Sequence, residues 1–391
     1  YNQSARVMTR FLVALACRIK IKKPGNCHNL YFGHDMAVSA QRRSTGAKFN
    51  IPRPIQNRSK QYALHMRLHR FFALMSIAAV ITTVLVSPST AAGKADDKTP
   101  KGKAMGYWTK DKLENALTRD FEFEIGAKSG KLVALGKRAK GGGAGTTGTT
   151  GASWTKGSKP LTATGKVFFT MGASDYVCSG SLITEATTGR SIVLTAGHCV
   201  WENKAVGAWA TNFIFIPAYD SNPVNNCSSS PDRCLVATAL VASSGFTSQT
   251  SFSTQATTYD WAFVAVEESG ESGFNLAVGG FSNSATAYAF GYPAATPYSG
   301  NDLVYCAGPI SPDPNNGGRT WGLSCKMTGG SSGGPWLSGF NTSTNDGSAS
   351  SLNSYKYTND STKMYGPKFN AKTKAVFDAA LLAGENTVVN N

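Results

Sequence analysis

Gly329-Gly330-Ser331-Ser332-Gly333-Gly334-Pro335 places two serines among four glycines and ahead of a proline. Glycine lacks the Cβ that bars unusual backbone angles, so such a run can turn tightly and aim its N–H groups inward. Inward-facing N–H groups beside a hydroxyl form the arrangement that stabilises a developing oxyanion. On this reading Ser332 supplies the hydroxyl, and the N–H groups of Gly330 and Ser332 face the oxyanion. Glycine-serine loops are common, so the run needs partners before it means catalysis.

Two other stretches supply partners. Thr195-Ala196-Gly197-His198-Cys199 follows the apolar Ile192-Val193-Leu194, and Thr258-Tyr259-Asp260-Trp261-Ala262-Phe263-Val264 leads into another apolar run. A serine hydroxyl becomes a useful nucleophile when a neighbouring imidazole accepts its proton. The imidazole in turn needs a carboxylate on its other nitrogen, to fix the tautomer and stabilise the imidazolium. The candidate set, in chain order, is therefore His198, Asp260, Ser332. Asp220, Asp232 and Asp302 compete for the acid role, but each lies in a turn-like context with no strand after it. The run also fits the Gly-x-Ser-x-Gly elbow of α/β-hydrolases, which order their triad as serine, acid, histidine. The histidines here are His28, His34, His65, His69 and His198, and none follows Ser332, so that reading has no base.

With these residues the chain resembles the chymotrypsin-fold serine peptidases. Thr195 to Cys199 and Gly330 to Pro335 match that family's signature strings, and Asp260-Trp261-Ala262 agrees. The doubled glycine before the nucleophile, Phe215-Ile216-Pro217 and Gly291-Tyr292-Pro293 are more similar to the secreted glutamyl-endopeptidase branch than to digestive trypsins. The resemblance covers roughly residues 160–369. It implies an all-β fold of two six-stranded antiparallel β-barrels with the site in the cleft between them, and a closing C-terminal helix. It also implies protein or peptide substrates, a monomer, and no metal or organic cofactor. One position departs from the pattern. Digestive members carry Asp immediately before the nucleophile, where it pairs with a new N-terminal amine on activation. Here that position is Ser331, so a site formed without that ion pair is expected. A binding protein on an inactive peptidase scaffold and an esterase-type hydrolase are the alternative functions. The former predicts loss of a triad residue, and none is lost.

Six cysteines fall in the enzyme region, and six allow 15 pairings. The resemblance selects Cys178–Cys199. Cys227–Cys234 and Cys306–Cys325 follow as neighbours in sequence. The resemblance also walls the primary pocket with Cys325-Lys326-Met327-Thr328 and Ser351-Leu352-Asn353-Ser354-Tyr355-Lys356. Neither stretch holds an acid and both hold a lysine, so Lys or Arg before the cut is disfavoured. The glutamyl branch reads its substrate through a pocket histidine that this chain lacks, which leaves acidic and uncharged side chains open.

The net charge of +16 divides unevenly along the 391 residues. Residues 1–92 carry +13, residues 93–153 carry +5, and residues 154–391 carry −2. A nucleic-acid footprint needs a basic patch on the folded domain, and the enzyme region offers none in its composition. Met66-Arg67-Leu68-His69-Arg70, the uncharged run Phe71 to Val86 and Ser89-Thr90-Ala91-Ala92-Gly93 have the three parts of a secretory signal. The uncharged run is shorter than the roughly 20 residues a membrane span needs, so no stable membrane anchor is expected. The expected order is an upstream extension without function at 1–65, a signal peptide at 66–92, a propeptide with a Gly-rich linker at 93–153, and the peptidase domain at 154–391. The protein is then secreted and made as a precursor. A plain disordered tail is the alternative for the propeptide stretch, although Asp111 to Leu117 reads as a helix.

From Lys166 onward short apolar runs alternate with Gly, Ser, Thr and Asn. Val167–Thr170, Ser181–Ile183, Ser191–Leu194, Asn212–Ile216, Ala262–Val266, Ala287–Phe290 and Gly334–Leu337 read as strands. Lys372 to Ala383 reads as an amphipathic helix stopped by Gly384.

Overall fold

The structure, a computed structural model, describes residues 98–136, 150–187, 189–220, 224 and 226–391. The extension at 1–65, the signal-like stretch at 66–92 and residues 137–149 of the linker lie outside the described residues. No helix of the described residues is long and apolar enough to cross a membrane.

Six strands make the first half of the enzyme: β3 (Thr164–Met171), β4 (Ser174–Ile183), β5 (Arg190–Thr195), β6 (Thr211–Pro217), β7 (Leu235–Ser243) and β8 (Ala262–Glu267). They pair antiparallel in the order β4-β3-β6-β7-β8-β5, and β5 pairs again with β4. The barrel is therefore closed, which leaves no edge among the six. Phe168, Val193, Phe215, Val241 and Phe263 of these strands have no exposed surface.

The second half is built on β9 (Thr286–Gly291), β10 (Val304–Pro312), β11 (Thr320–Ser324), β12 (Pro335–Asn341), β13 (Asp346–Leu352), β14 (Tyr355–Tyr357) and β15 (Asp360–Pro367). These belong to an eleven-stranded sheet with the central order β13-β12-β9-β10-β11-β15-β14. Among the described residues the ladder does not pair β13 with β15, but the Ser351 hydroxyl of β13 donates to the Pro367 carbonyl of β15, so the second half is a second large sheet beside the closed barrel. Thr150–Ser153 pairs with β10, and Trp154 packs edge-on against Phe290 and Tyr305. Helix α3 (Ala371–Leu382) follows the second half, with Asn370 and Thr373 forming a capping box and Phe377 set against Phe263, and Thr387–Val389 then pairs in parallel with β7. The helix lies where the sequence places it, because Val376, Phe377 and Ala380 bury one stripe.

The stretch before the enzyme is folded as well. Helices α1 (Pro100–Tyr107) and α2 (Lys110–Asn115) lead to β1 (Asp120–Phe123) and β2 (Lys131–Val133). The disordered alternative therefore fails for residues 98–136. Trp108 is fully buried and donates its indole N–H to the Asn212 carbonyl. Tyr107 and Lys112 both reach Asp175. Helix α2 ends two residues before the expected Leu117, because Leu117–Thr118 pairs in parallel with Tyr176–Val177 of β4. The segment then crosses to the second half, where β1 pairs in parallel with β14.

Candidate active site

The ladder of the first barrel sets His198 beside Asp260. Strands β5 and β8 pair with Thr195 opposite Ala262. His198 lies three residues after Thr195 in a short 3₁₀ turn, Gly197–Cys199, and Asp260 lies two residues before Ala262. The register thus delivers both side chains to the same end of the strand pair. The Asp260 carboxylate accepts the His198 backbone N–H at 2.8 Å and faces its Nδ1 at 2.8 Å. Ser354 donates a third hydrogen bond to Asp260 at 2.5 Å. Histidine and aspartate are both fully buried, and a buried carboxylate with three donors is satisfied.

The glycine-rich loop is held from both halves. Gly330 (φ +92°) and Gly333 (φ +84°) lie in the left-handed region, and a Cβ on Gly333 would meet the Ser179 carbonyl at 2.4 Å. Ser331 is buried and its hydroxyl donates to Thr328 O, a structural role that closes the turn. Asn353 donates to the carbonyls of Phe290 and Ser331, and accepts the Trp336 indole N–H. From the first barrel, the Ser179 hydroxyl donates to Gly330 O and its N–H to Ser332 O. The neighbouring Cys178 is bonded to Cys199. Cys178-Ser179 thus straps the His198 turn covalently and the Ser332 loop by hydrogen bonds.

Cys227–Cys234 and Cys306–Cys325 are also disulfides, so all three expected pairs form. Cys178, His198 and Cys199 crowd within 4.8 Å of one another, but both sulfurs are spent in the disulfide and offer no thiolate to a metal.

Ser332 and Gly330 do not face open space. The Ser332 hydroxyl donates to Asp120 Oδ1 at 2.9 Å, and the Gly330 N–H reaches the same carboxylate at 3.2 Å. His198 Nε2 is buried with no hydrogen-bond partner. Phe121 packs edge-on to the His198 ring and stacks on Phe252 at 4.1 Å. Arg119 is buried and donates from Nε to the His198 carbonyl. Burial raises the Asp120 pKa, and the Ser332 and Thr118 hydroxyls oppose that rise. Sequence reasoning missed Asp120, because a single carboxylate in a charged segment carries no local signal. It also missed Ser179, and it placed Ser354 and Asn353 only in the pocket wall, because their hydrogen-bonding roles depend on tertiary pairing. Of the rival acids, Asp220 instead accepts the N–H of Leu303.

A cavity of about 370 Å³ lies beside Ser332. Its walls include Lys326, Thr328, Ser354, Lys356 and Thr362, and Glu122, Val133 and Leu135 of the N-terminal segment cover it. Lys356 donates to the carbonyls of Cys325 and Ser361. Burial lowers its pKa to about 8, against the pull of Asp360, Glu122 and Asp120. Lys326 and Thr328 of one stretch expected to wall the primary pocket, and Ser354, Tyr355 and Lys356 of the other, line this cavity.

No protein-family model matches the chain, and no curated protein sequence matches it. Among solved structures the chain is similar to the protease Anisep from Arthrobacter nicotinovorans. The identity is 36% over 57% of this chain and 98% of that one, with a TM-score of 0.49. It is also similar to the thermostable serine protease AL20 from an extremophilic microorganism, at 32% identity over 57% and 98% of the two chains and a TM-score of 0.48. A Glu endopeptidase in complex with MPD matches at 18% identity over 61% and 99%, with a TM-score of 0.45.

Proposed function

The chain belongs to the chymotrypsin-fold serine proteases, and from that premise we propose that it is a secreted serine endopeptidase made as a precursor. The observation that supports this most is the buried His198–Asp260 pair, tied by Ser354 and by the Cys178-Ser179 strap to the loop that carries Ser332.

In the mature form Ser332 Oγ attacks the scissile carbonyl while His198 Nε2 takes its proton. Asp260 holds the other imidazole nitrogen and stabilises the imidazolium. The N–H groups of Gly330 and Ser332 receive the negative charge of the tetrahedral intermediate. His198 returns the proton to the leaving amine, and water repeats the cycle on the acyl-enzyme. No step calls on a metal or an organic cofactor. The lysines of the pocket disfavour a basic side chain before the cut, since a second cation there would be repelled and unpaired. Residues 98–136 act as the propeptide, and the maturation cut falls before Thr150, which is already paired into the enzyme's sheet. Three disulfides suit an oxidising, extracytoplasmic setting.

Ser332→Ala in the processed enzyme is the test. Loss of a triad member costs on the order of 10⁴ to 10⁶ in kcat, so peptide turnover and fluorophosphonate labelling should both vanish while the protein stays folded. Peptide turnover within about tenfold of the unaltered enzyme, far short of that range, would remove Ser332 as nucleophile. Turnover of esters with none of peptides would replace endopeptidase by esterase.

A further inference from the structure

Arg119, Asp120 and Phe121 cross the site as three consecutive residues, and each engages a different part of it. We propose that the segment 98–136 holds the protease latent through a carboxylate plug, in which Asp120 occupies the oxyanion hole and captures the Ser332 hydroxyl. This rests on the serine-protease reading of the site and names how that site is regulated.

Two hydrogen bonds of the plug are to catalytic groups. The Gly330 N–H, needed for the oxyanion, is given to Asp120, and so is the Ser332 O–H. The serine proton therefore points to a carboxylate rather than to His198 Nε2, which is left unpartnered. The base has nothing to accept while the segment is seated. The plug itself resists attack. A side-chain carboxylate carries negative charge and no amine leaving group, so Ser332 cannot acylate on it.

The segment blocks substrate as well as chemistry. Strand β14 would otherwise offer an edge to which an extended peptide could add. Here β1 takes that edge, with Phe121 opposite Tyr355 and Glu122 opposite Lys356. Phe121 packs against both His198 and Phe252, whose rings also meet edge-on. Arg119, buried on the His198 carbonyl, fixes the residue before the plug. The doubled glycine also finds a reason. A Cβ on Gly329 would lie 2.3 Å from Asp120 Oδ2 and 2.7 Å from the Thr118 hydroxyl. Glycine at that position leaves room for the plug to reach Gly330.

The hold is reversible by cutting. Helices α1 and α2 and the pair Leu117–Thr118 anchor the segment on the barrel, yet only residues 137–149 join it to the enzyme in sequence. Lys137-Arg138-Ala139-Lys140 stands at the start of that join. Cleavage there makes the segment a separate chain, which is then free to leave by dilution.

The experiment measures the rate at which a fluorophosphonate probe labels the intact chain and the chain cut by trypsin at residues 137–140, separated by size on a gel. The intact chain should label at least a hundredfold more slowly than the cut and washed chain. Asp120→Ala should speed labelling of the intact chain at least tenfold and leave the rate of the cut chain unchanged. Asp120→Asn keeps the shape but leaves Ser332 and Gly330 a neutral amide oxygen in place of a carboxylate, a weaker acceptor, so it should speed the intact chain by threefold or more, which serves if the alanine variant does not fold. An intact chain that labels as fast as the cut one overturns the plug, as does an intact Asp120→Ala chain as slow as the unaltered one. If the cut chain does not label at all, the serine-protease reading fails and takes the plug with it.

Discussion

Asp260 and Asp120 do the same chemistry to opposite effect. Each puts a carboxylate among donors out of water. Asp260 accepts from the His198 N–H, faces His198 Nδ1 and accepts from Ser354. Asp120 accepts from Ser332 and Gly330. On the proposed mechanism the first engages the base on the nitrogen that does no proton transfer, and so prepares it. On the proposed latency the second engages the nucleophile on the one proton that must move, and so stops it. Their attachment differs too. Asp260 is fixed by the six-residue ladder between β5 and β8. Asp120 rides on a four-residue strand whose partners are β14 and β2. A permanent orienter belongs on the barrel, and a removable stop belongs on a segment that cutting can release.

The largest effect should come from the permanent side. Asp260→Asn keeps the shape but offers an amide where the imidazole needs a carboxylate, and kcat should fall by about 10⁴. The check is peptide turnover by the processed enzyme, with circular dichroism to show that the fold is intact. A fall of only a few-fold would mean that Asp260 merely packs, and the contrast between the two aspartates would dissolve.

The removable side gives a smaller number, because it acts through an equilibrium. Phe121 stacks on Phe252 and edges the His198 ring, and such aromatic pairs are worth about 0.5–1.5 kcal/mol beyond their burial. Phe121→Ala should therefore speed fluorophosphonate labelling of the intact chain by about tenfold, the factor that 1.4 kcal/mol represents. The cut enzyme should not change, since the residue has left with the segment. An intact Phe121→Ala chain that labels no faster would show that the carboxylate alone holds the segment in place.

The sequence reveals one of these aspartates and hides the other, for a physical reason. His198, Asp260 and Ser332 lie in short strings whose local chemistry is distinctive, and the apolar runs of β3, β5, β6 and β8 alternate with turn residues as strands do. Strands β11, β13 and β15 are rich in Gly, Ser and Thr. They hold by laddering to neighbours far along the chain, which no local pattern records. Ser179 is legible only once Cys178 is known to bridge to Cys199. Asp120 is harder still. Asp120-Phe121-Glu122-Phe123 is a plain alternating tetrapeptide, and its partner Ser332 lies 212 residues away. Asp313 is another such residue. It is buried and accepts the hydroxyls of Tyr355 and Tyr357, bracing β14 from behind, although its sequence context is a turn.

The smallest effect tests the two halves of the docked segment against each other through pH. Burial raises the Asp120 pKa, so the docked state holds more protons there and docking loosens as pH rises through that acid window. Lys356 has the opposite sign. Burial lowers it to about 8, and Phe121, Glu122, Val133 and Leu135 of the segment supply part of that burial. When the segment leaves, water enters the pocket and the ammonium returns toward its usual value of about 10.4. The docked state then holds fewer protons on Lys356, and docking tightens as pH rises above about 8. Glu122 and Asp120 pull the other way, since their carboxylates favour the charged lysine in the docked state, so the net change is small. The readout is the ratio of labelling rates for intact and cut chains. Between about pH 8 and 10 that ratio should fall by about threefold, short of the tenfold that about 1.4 kcal/mol would give. Lys356→Met should flatten it. A ratio that rises instead would show that the two carboxylates outweigh burial, and a slope that survives in Lys356→Met would assign it to another group.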